Sequence, residues 1–397
     1  MTEICINGAG PVGAALACRL AASGWRVLVV DRAGLAEAED PSLDGRAYAI
    51  AEGARRMLEA AGVWQHLGAI PQPITEIRVA DGRPGERPSA LGLQFASDDR
   101  PSDDVPFGWM IEARDLRTAL NAALRTQPLI TVAAPDQARF SFGRDGVSVA
   151  LNSGATHEVR LAIAAEGRRS PLREQAGIAV TRIPYHQCGL VAMIGHERPH
   201  DGTALEQFLP QGPFARLPMR GTDAHPNRSA IVWAESEIRA RRYYDLPDAA
   251  FAAEIAERLR AEDTGAITMA GRRWIYPLSA QYAHSYIADR MALVGDSAHG
   301  IHPIAGQGLN LGFRDVIALA RTLGEARGQD PGSRDCLMRY QRATRPGNLA
   351  MLAATDGLER LFGNDNPVLR LGRDLGMAAV NRLPRLRRAF ARRAMGL

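Results

Sequence analysis

The chain opens on a run that few folds accommodate. Ile4-Cys-Ile-Asn is a short apolar strand, Gly8-Ala-Gly10-Pro11-Val12-Gly13 follows it, and Ala14 to Ala22 continues with helical spacing. Arg26-Val-Leu-Val-Val-Asp31 then returns as a second apolar strand that ends in an acid. In such a strand–turn–helix–strand unit, Gly8 permits the tight turn and Gly10 lets the backbone approach a pyrophosphate. Gly13 lets helix and strand pack closely. The helix N-terminus adds partial positive charge for the phosphates. Asp31 stands where a carboxylate accepts hydrogen bonds from ribose hydroxyls, and Arg32 beside it is a further candidate contact. A lone glycine triplet says little. Two strands, a helix and an acid at the right distance predict a dinucleotide-binding crossover in an α/β fold.

A second glycine-rich run lies far downstream, in Leu293-Val-Gly295-Asp296-Ser-Ala-His299-Gly-Ile-His302-Pro303-Ile-Ala-Gly306-Gln307-Gly308-Leu309-Asn310. It reads as a short strand, an acidic turn, a Pro/Gly loop and a helix start. Backbone that bare can approach a flat ligand and aim N–H groups at it. Asp296 is a candidate both for capping and for cofactor contact. His299 and His302 show no carboxylate partner in the sequence, and a zinc site needs more ligands. Both are read as shaping the loop. The two runs together predict one large cofactor gripped from both ends of the chain.

Composition narrows the chemistry. None of the 48 basic residues is a lysine, which removes Schiff-base chemistry, Walker-type phosphate binding and any lysine general base. Cys5, Cys18, Cys188 and Cys336 are far apart with no C-x-x-C pair, so reduced thiols and no cysteine metal site are expected. No run of eighteen apolar residues occurs, and the N-terminus enters a strand at once. Both point to a cytoplasmic protein without a spanning helix or secretory leader. No nucleic-acid module is recognisable. The net charge of +4 is uneven: Arg382, Arg385, Arg387, Arg388, Arg392 and Arg393 crowd the end. A helix after Pro384 would carry Leu386, Phe390 and Ala394 on one face. That stripe either rests on an anionic membrane surface or partner protein, or packs on its own domain.

Periodicity predicts helices over 48–67, 114–124 and 247–261, and strands at 130–132, 147–151, 161–165, 185–194, 204–210 and 228–235. Residues 74–105 read as an antiparallel excursion. The expected layout is a discontinuous nucleotide domain (1–74, 103–182 and 287–345), an inserted and mainly antiparallel β-sheet domain (75–102 and 183–286), and C-terminal helices (346–397). Trp109, Phe208, Phe214, Trp233, Trp274 and Tyr276 are mostly core candidates, with one or two left to meet a substrate ring.

Three motifs together resemble the FAD-dependent aromatic-ring hydroxylase family: Gly8-Ala-Gly10-Pro-Val-Gly13, Ala165-Glu166-Gly167-Arg-Arg-Ser170 and Leu293-Val-Gly295-Asp296-Ser-Ala-His299. Asp44-Gly-Arg46-Ala-Tyr-Ala-Ile50, Glu206 to Pro213, His302 to Asn310 and Ala354 to Phe362 are similar to its ubiquinone-biosynthesis branch. The resemblance covers essentially the whole chain. It implies a Rossmann-like FAD-binding domain in which Gly8, Gly10, Pro11, Val12 and Gly13 hold the pyrophosphate, and Asp31 with Arg32 the adenosine ribose. It places Arg46 and Arg114 at the phosphate and ribityl region, with Gly295 and Asp296 at the ribityl chain or pyrophosphate. His302, Pro303 and the backbone from Gly306 and Gln307 through Gly308, Leu309 and Asn310 would face the flavin ring. Glu166 replaces the family's usual Asp in a motif linked to both FAD and nicotinamide nucleotide, so NADH and NADPH both stay open as reductant. The implied reaction hydroxylates a polyprenylated phenol with O2 through a flavin hydroperoxide. A hydroxylase of a small soluble phenol and a non-catalytic prenyl carrier are the alternatives.

Overall fold

The computed structural model describes residues 2–40, 42, 44–86, 89, 91–260, 262–302, 306–363 and 367–397. β1 (Ile4–Asn7), α1 (Pro11–Ala22) and β2 (Val27–Val30) form the first crossover. β3 (Ala47–Ala51), α2 (Glu52–Ala60), β4 (Gln72–Ile74), β5 (Glu76–Asp81), β6 (Leu93–Phe95) and β7 (Gly108–Glu112) follow, then α3 (Ala113–Thr126) and β8 (Ile130–Ala133). A meander of β9 (Ala138–Phe142), β10 (Val147–Leu151) and β11 (Thr156–Val159) precedes β12 (Leu161–Ala164) and the short α4 (Pro171–Gln175). β13 (Val180–His196), β14 (Thr203–Leu209), β15 (Gly212–Met219), β16 (Arg228–Ser236), α5 (Glu237–Tyr244), α6 (Asp248–Arg258) and β17 (Ile267–Ala283) come next. The chain returns through β18 (Ile287–Ala288), β19 (Met291–Leu293) and β20 (His299–Gly300), and ends in α7 (Gln307–Glu325), α8 (Arg334–Phe362), α9 (Pro367–Asn381) and α10 (Pro384–Met395).

Two sheets set the architecture. The first has six strands in the order β18-β19-β12-β1-β2-β8, with β19, β12, β1, β2 and β8 parallel. β2 and β12 are buried along their whole length and β1 up to Asn7 at its end, as strands covered on both faces must be. Gly13, Ala14, Ala17, Cys18 and Ala21 give α1 a smooth buried surface. Leu16 and Leu20, fully buried there, contribute about 2 kcal/mol each. The second sheet has eight strands, β20-β17-β13-β16-β15-β14-β5-β6, antiparallel except where β14 meets β5. The excursion over 74–105 thus supplies two of its strands.

The helix expected over 48–67 is only partly present. Residues 47–51 form β3, which pairs with β7, and helix begins at Glu52. Tyr48 and Ile50 carry apolar side chains compatible with either period; pairing with Trp109 and Ile111 decides for strand.

Candidate active site

The first glycine turn is held at contact distance from its neighbours. Gly8 has φ +112°, and a Cβ there would lie 2.5 Å from the Ala165 carbonyl oxygen. A Cβ on Gly13 would collide with the Gly8 carbonyl. At Gly10, by contrast, a Cβ would meet nothing, so the backbone is open on the ligand side. Gly10 is the N-cap of α1 and Pro11 fills its first position; no side chain caps this end and no acid sits in its first turn. The turn is therefore free to take an anion. The residues present fit a pyrophosphate.

The second run abuts the first. Val12 packs where a Cβ on Gly295 would come within 3.1 Å of its Cγ2, and one on Gly312 within 2.6 Å. Gly306, in the left-handed region at φ +62°, caps α7 and faces Ala49. Gly308 has open space, and α7 too begins without a side-chain cap or an acid in its first turn. Leu309 packs against the main core. Asn310 is buried and clamps β3: its Oδ1 accepts from the Ala51 N–H at 2.9 Å and its Nδ2 donates to the Ala49 carbonyl at 2.8 Å. This fixes the glycine loop against the strand that follows the Arg46 loop. Gln307 begins α7. Pro303 lies outside the described residues.

Several expected contacts are engaged within the protein. Asp31 accepts from the Ala9 N–H at 2.6 Å and the Ala33 N–H at 2.9 Å, so it braces the glycine turn. Arg32 is exposed. Arg46 makes a two-pronged pair with Asp44, at 2.8 and 2.7 Å, and lies over Tyr48 and Tyr276. Arg114 is exposed on the first turn of α3. Glu166 is turned inward: it accepts from Asn7 Nδ2 at 2.7 Å, from Ser170 Oγ and from the Leu172 N–H, which joins the end of β1 to the start of α4. Burial raises its pKa against these hydrogen bonds. Asp296 takes Arg168 Nε at 3.2 Å, and the same guanidinium holds Ser279 on β17.

The histidines have partners that the sequence did not reveal. His299 Nε2 lies 2.6 Å from Asp315 Oδ2 on α7. Asp315 is fully buried and also accepts from the Gly295 N–H at 2.9 Å and from Asn348 Nδ2 at 2.9 Å. Burial opposes charge on His299, but the Asp315 carboxylate outweighs it and raises the pKa. A lone acid on the apolar stripe of α7, between Phe313 and Val316, was the available signal. His302 is also fully buried, against Tyr185 and within 3.2 Å of Gln187 Oε1; burial drives its pKa down to about 4.

The eight-stranded sheet presents one face to these loops. Residues directly opposite in adjacent strands share a face, and the register aligns Val79, Glu206, Ala215, Val232, Val191 and Trp274 across β5, β14, β15, β16, β13 and β17. Trp274 touches Gly45 of the Arg46 loop, which identifies this as the side toward the nucleotide domain. The opposite face carries Leu190, Phe214 and Trp233 under α5 and α6. Phe214 and Trp233 are therefore core. Phe208 stacks on Phe362 of α8 at 4.0 Å, and Trp109 meets Trp64 edge-on. Trp274 and Tyr276, stacked along β17, are the aromatics that reach the loop side.

Known proteins agree with this geometry. A family profile described as "FAD binding domain" matches residues 1–355. The ubiquinone hydroxylase UbiL of Rhodospirillum rubrum is 44% identical, with 100% of this chain and 90% of that protein covered. The 3-demethoxyubiquinol 3-hydroxylase of Escherichia coli is 34% identical, with 100% and 99% covered. Among solved structures, PqsL of Pseudomonas aeruginosa, a probable FAD-dependent monooxygenase, superposes with a TM-score of 0.77 at 24% identity, covering 95% of this chain and 99% of that one. The chain belongs to the FAD-binding-domain family of FAD-dependent monooxygenases, the aromatic-ring hydroxylases, and its full-length relatives include hydroxylases of ubiquinone biosynthesis.

Proposed function

We propose that this protein hydroxylates the ring of a polyprenylated phenol on the way to ubiquinone, working at the surface of a membrane. The observation that carries the reading is the joining of two glycine turns, through Val12, beside a largely apolar sheet face. When bound, FAD supplies the chemistry: it takes two electrons from a nicotinamide nucleotide and activates O2. The α1 N-terminus would hold the pyrophosphate, and Asp31 the ribose that its own backbone partners leave reachable. Gly295, Asp296 and the α7 N-terminus would stand along the ribityl chain and the ring, where unpaired N–H groups favour negative charge. Arg46, aimed by Asp44, and Arg114 would reach the phosphate and ribityl region. Glu166 would contribute by anchoring the turn that borders the cofactor.

An apolar tail needs an apolar route. Met110, Met193 and Met219 cluster with Phe107, and Phe208 with Phe362 and Met377, between the sheet and the C-terminal helices. Thioethers and rings of this kind adapt to a flexible chain. At α10 the helix is anchored by Ala391 and Met395, while Leu386 and Phe390 are 39% and 48% exposed. The stripe therefore points away from the protein, with Arg385, Arg388 and Arg392 beside it. Apolar side chains flanked by arginines suit an anionic lipid surface. No helix among the described residues is long and apolar enough to cross a membrane.

The test combines FAD-loaded protein, NADH or NADPH, O2 and 2-geranylphenol, with products read by mass spectrometry. A product one oxygen atom heavier is expected; oxidation of the nicotinamide nucleotide with no oxygenated product refutes the reading. For the surface, Leu386→Asp with Phe390→Asp should abolish sedimentation with phosphatidylglycerol vesicles. These changes spare the Ala391 and Met395 anchor, which deletion of the tail would remove.

A further inference from the structure

Glu206 stands alone on the sheet face described above. It occupies the middle of β14, with Val79 and Ala215 on either side in the register. Its neighbours along the strand on the same face are Ala204 and Phe208. The adjoining positions of this face on β15, β16 and β13 are Ala215 and Leu217, Val232 flanked by Ala230 and Ala234, and Val191 flanked by Gly189 and Met193, so the Glu206 carboxyl lies among apolar side chains. Ala204 belongs to the same apolar cluster as Met110, with Ala47 and Ala49 packed against it, and Ala49 is the residue that Gly306 faces. Glu206 and the glycine loop thus border the same layer. Among the described residues no hydrogen bond or ion pair reaches the Glu206 carboxyl, yet Glu206 retains partial exposure within this enclosed layer.

A carboxyl in such a place is costly unless something completes it. Charged groups on the elements over this face are otherwise engaged: Asp81 with Arg373, Asp99 with Arg387, Glu112 with Arg228, and Glu359 with Gln187. The other described arginines of α10 are exposed. Burial alone raises the Glu206 pKa, to about 8, with no contribution from a neighbouring charge. That value approaches the phenolic one of about 10, so a proton can pass between the two groups without a large penalty.

We propose that Glu206 receives the ring hydroxyl of the aromatic substrate and takes its proton, an inference that rests on the protein being a phenol hydroxylase. The O–H bond breaks, the proton goes to a Glu206 carboxylate oxygen, and the electron pair stays on the phenolate. No oxidant or reductant enters this step. A phenolate ring is richer in electrons and more readily attacked by an electrophilic oxygen, so the carboxylate both orients and activates the substrate. The need for an acceptor on this strand also accounts for an acid in the middle of an otherwise apolar run, Ala204 to Leu209 with Gln207.

Equilibrium binding of 2-geranylphenol and of its O-methyl ether to the FAD-loaded protein, read by the change in flavin absorbance, tests this. The wild type should prefer the phenol, with affinity for it rising about tenfold from about pH 6.5 to about pH 8.5 as the carboxylate ionises. Ether binding should be flat with pH. Glu206→Gln should keep FAD and bind the ether as before, while losing the pH rise and most of the preference. Glu206→Met, made alongside, should behave alike and covers the case in which the amide disturbs the sheet. Wild-type preference and pH dependence in both variants would overturn the assignment. Wild-type protein that holds FAD and binds neither compound would overturn the hydroxylase reading with it.

Discussion

The Asp315 hub is open to a direct test of its energetic role. Its carboxylate is fully buried and serves three donors: the Gly295 N–H, Asn348 Nδ2 and the His299 ring. Breaking a buried charge pair by removing one partner costs about 3–5 kcal/mol, because the other charge is left without compensation. Asp315→Asn keeps the shape and one acceptor for the Gly295 N–H but removes the charge opposite His299. The sign of the pH dependence follows from the raised His299 pKa. Stability from this pair is fully present below the unfolded-state value of about 6.5 and is lost as pH rises through the folded value. The substitution should therefore cost about 4 kcal/mol near pH 6 and less at higher pH, as the imidazole loses its charge and can bond to the amide. Urea unfolding of FAD-free protein, followed by tryptophan fluorescence as pH is raised, measures it. A cost below about 1 kcal/mol, or one that does not fall with rising pH, would refute the reasoning.

Gly13→Ala should prevent FAD retention, since the added methyl collides with the Gly8 carbonyl inside a turn that has no room to yield; co-purifying flavin absorbance checks this. Arg373→Met strands the buried Asp81, which the guanidinium meets at 3.0 and 2.7 Å. It should cost about 3–5 kcal/mol in urea unfolding, and Asp81→Asn added to it should restore most of the loss. Glu206→Gln should be more stable than wild type at high pH. The Glu206 pKa is raised from 4.5 to about 8, so wild-type stability falls as pH rises across that window, and melting curves at about pH 5 and about pH 9 should diverge accordingly.

The cofactor clasp was legible because its chemistry is local. Gly8, Gly10, Gly13 and Asp31 sit within one crossover, where spacing alone encodes the turn. In the large sheet the strands near 185–194, 204–210 and 228–235 were legible, with the excursion that supplies β5 and β6, whereas β15 and the long β17 were not. Partners far apart in sequence were not. The nearest signal for His299 is sixteen residues away on another element, and Asn348 completes that hub from α8. Glu166 looked like a ligand acid; its three internal partners, Asn7, Ser170 and Leu172, are specified by how β1 meets α4. The face that α10 turns outward was undecidable from its period. Ala391 and Met395 are no more apolar than Leu386 and Phe390, and only the position of the helix over Met110 and Met219 selects between them.

Strand order also governs how the molecule is made. β1 is flanked by β2 on one side and β12 on the other, and β12 in turn waits for β19. On the ribosome, the outer edge of β12 must remain unpaired until Met291–Leu293 has been synthesised, and Val12 cannot find Gly312 until that residue follows. Such distant pairing folds slowly. The junction that joins the two glycine turns therefore closes only after the first 312 residues have been made.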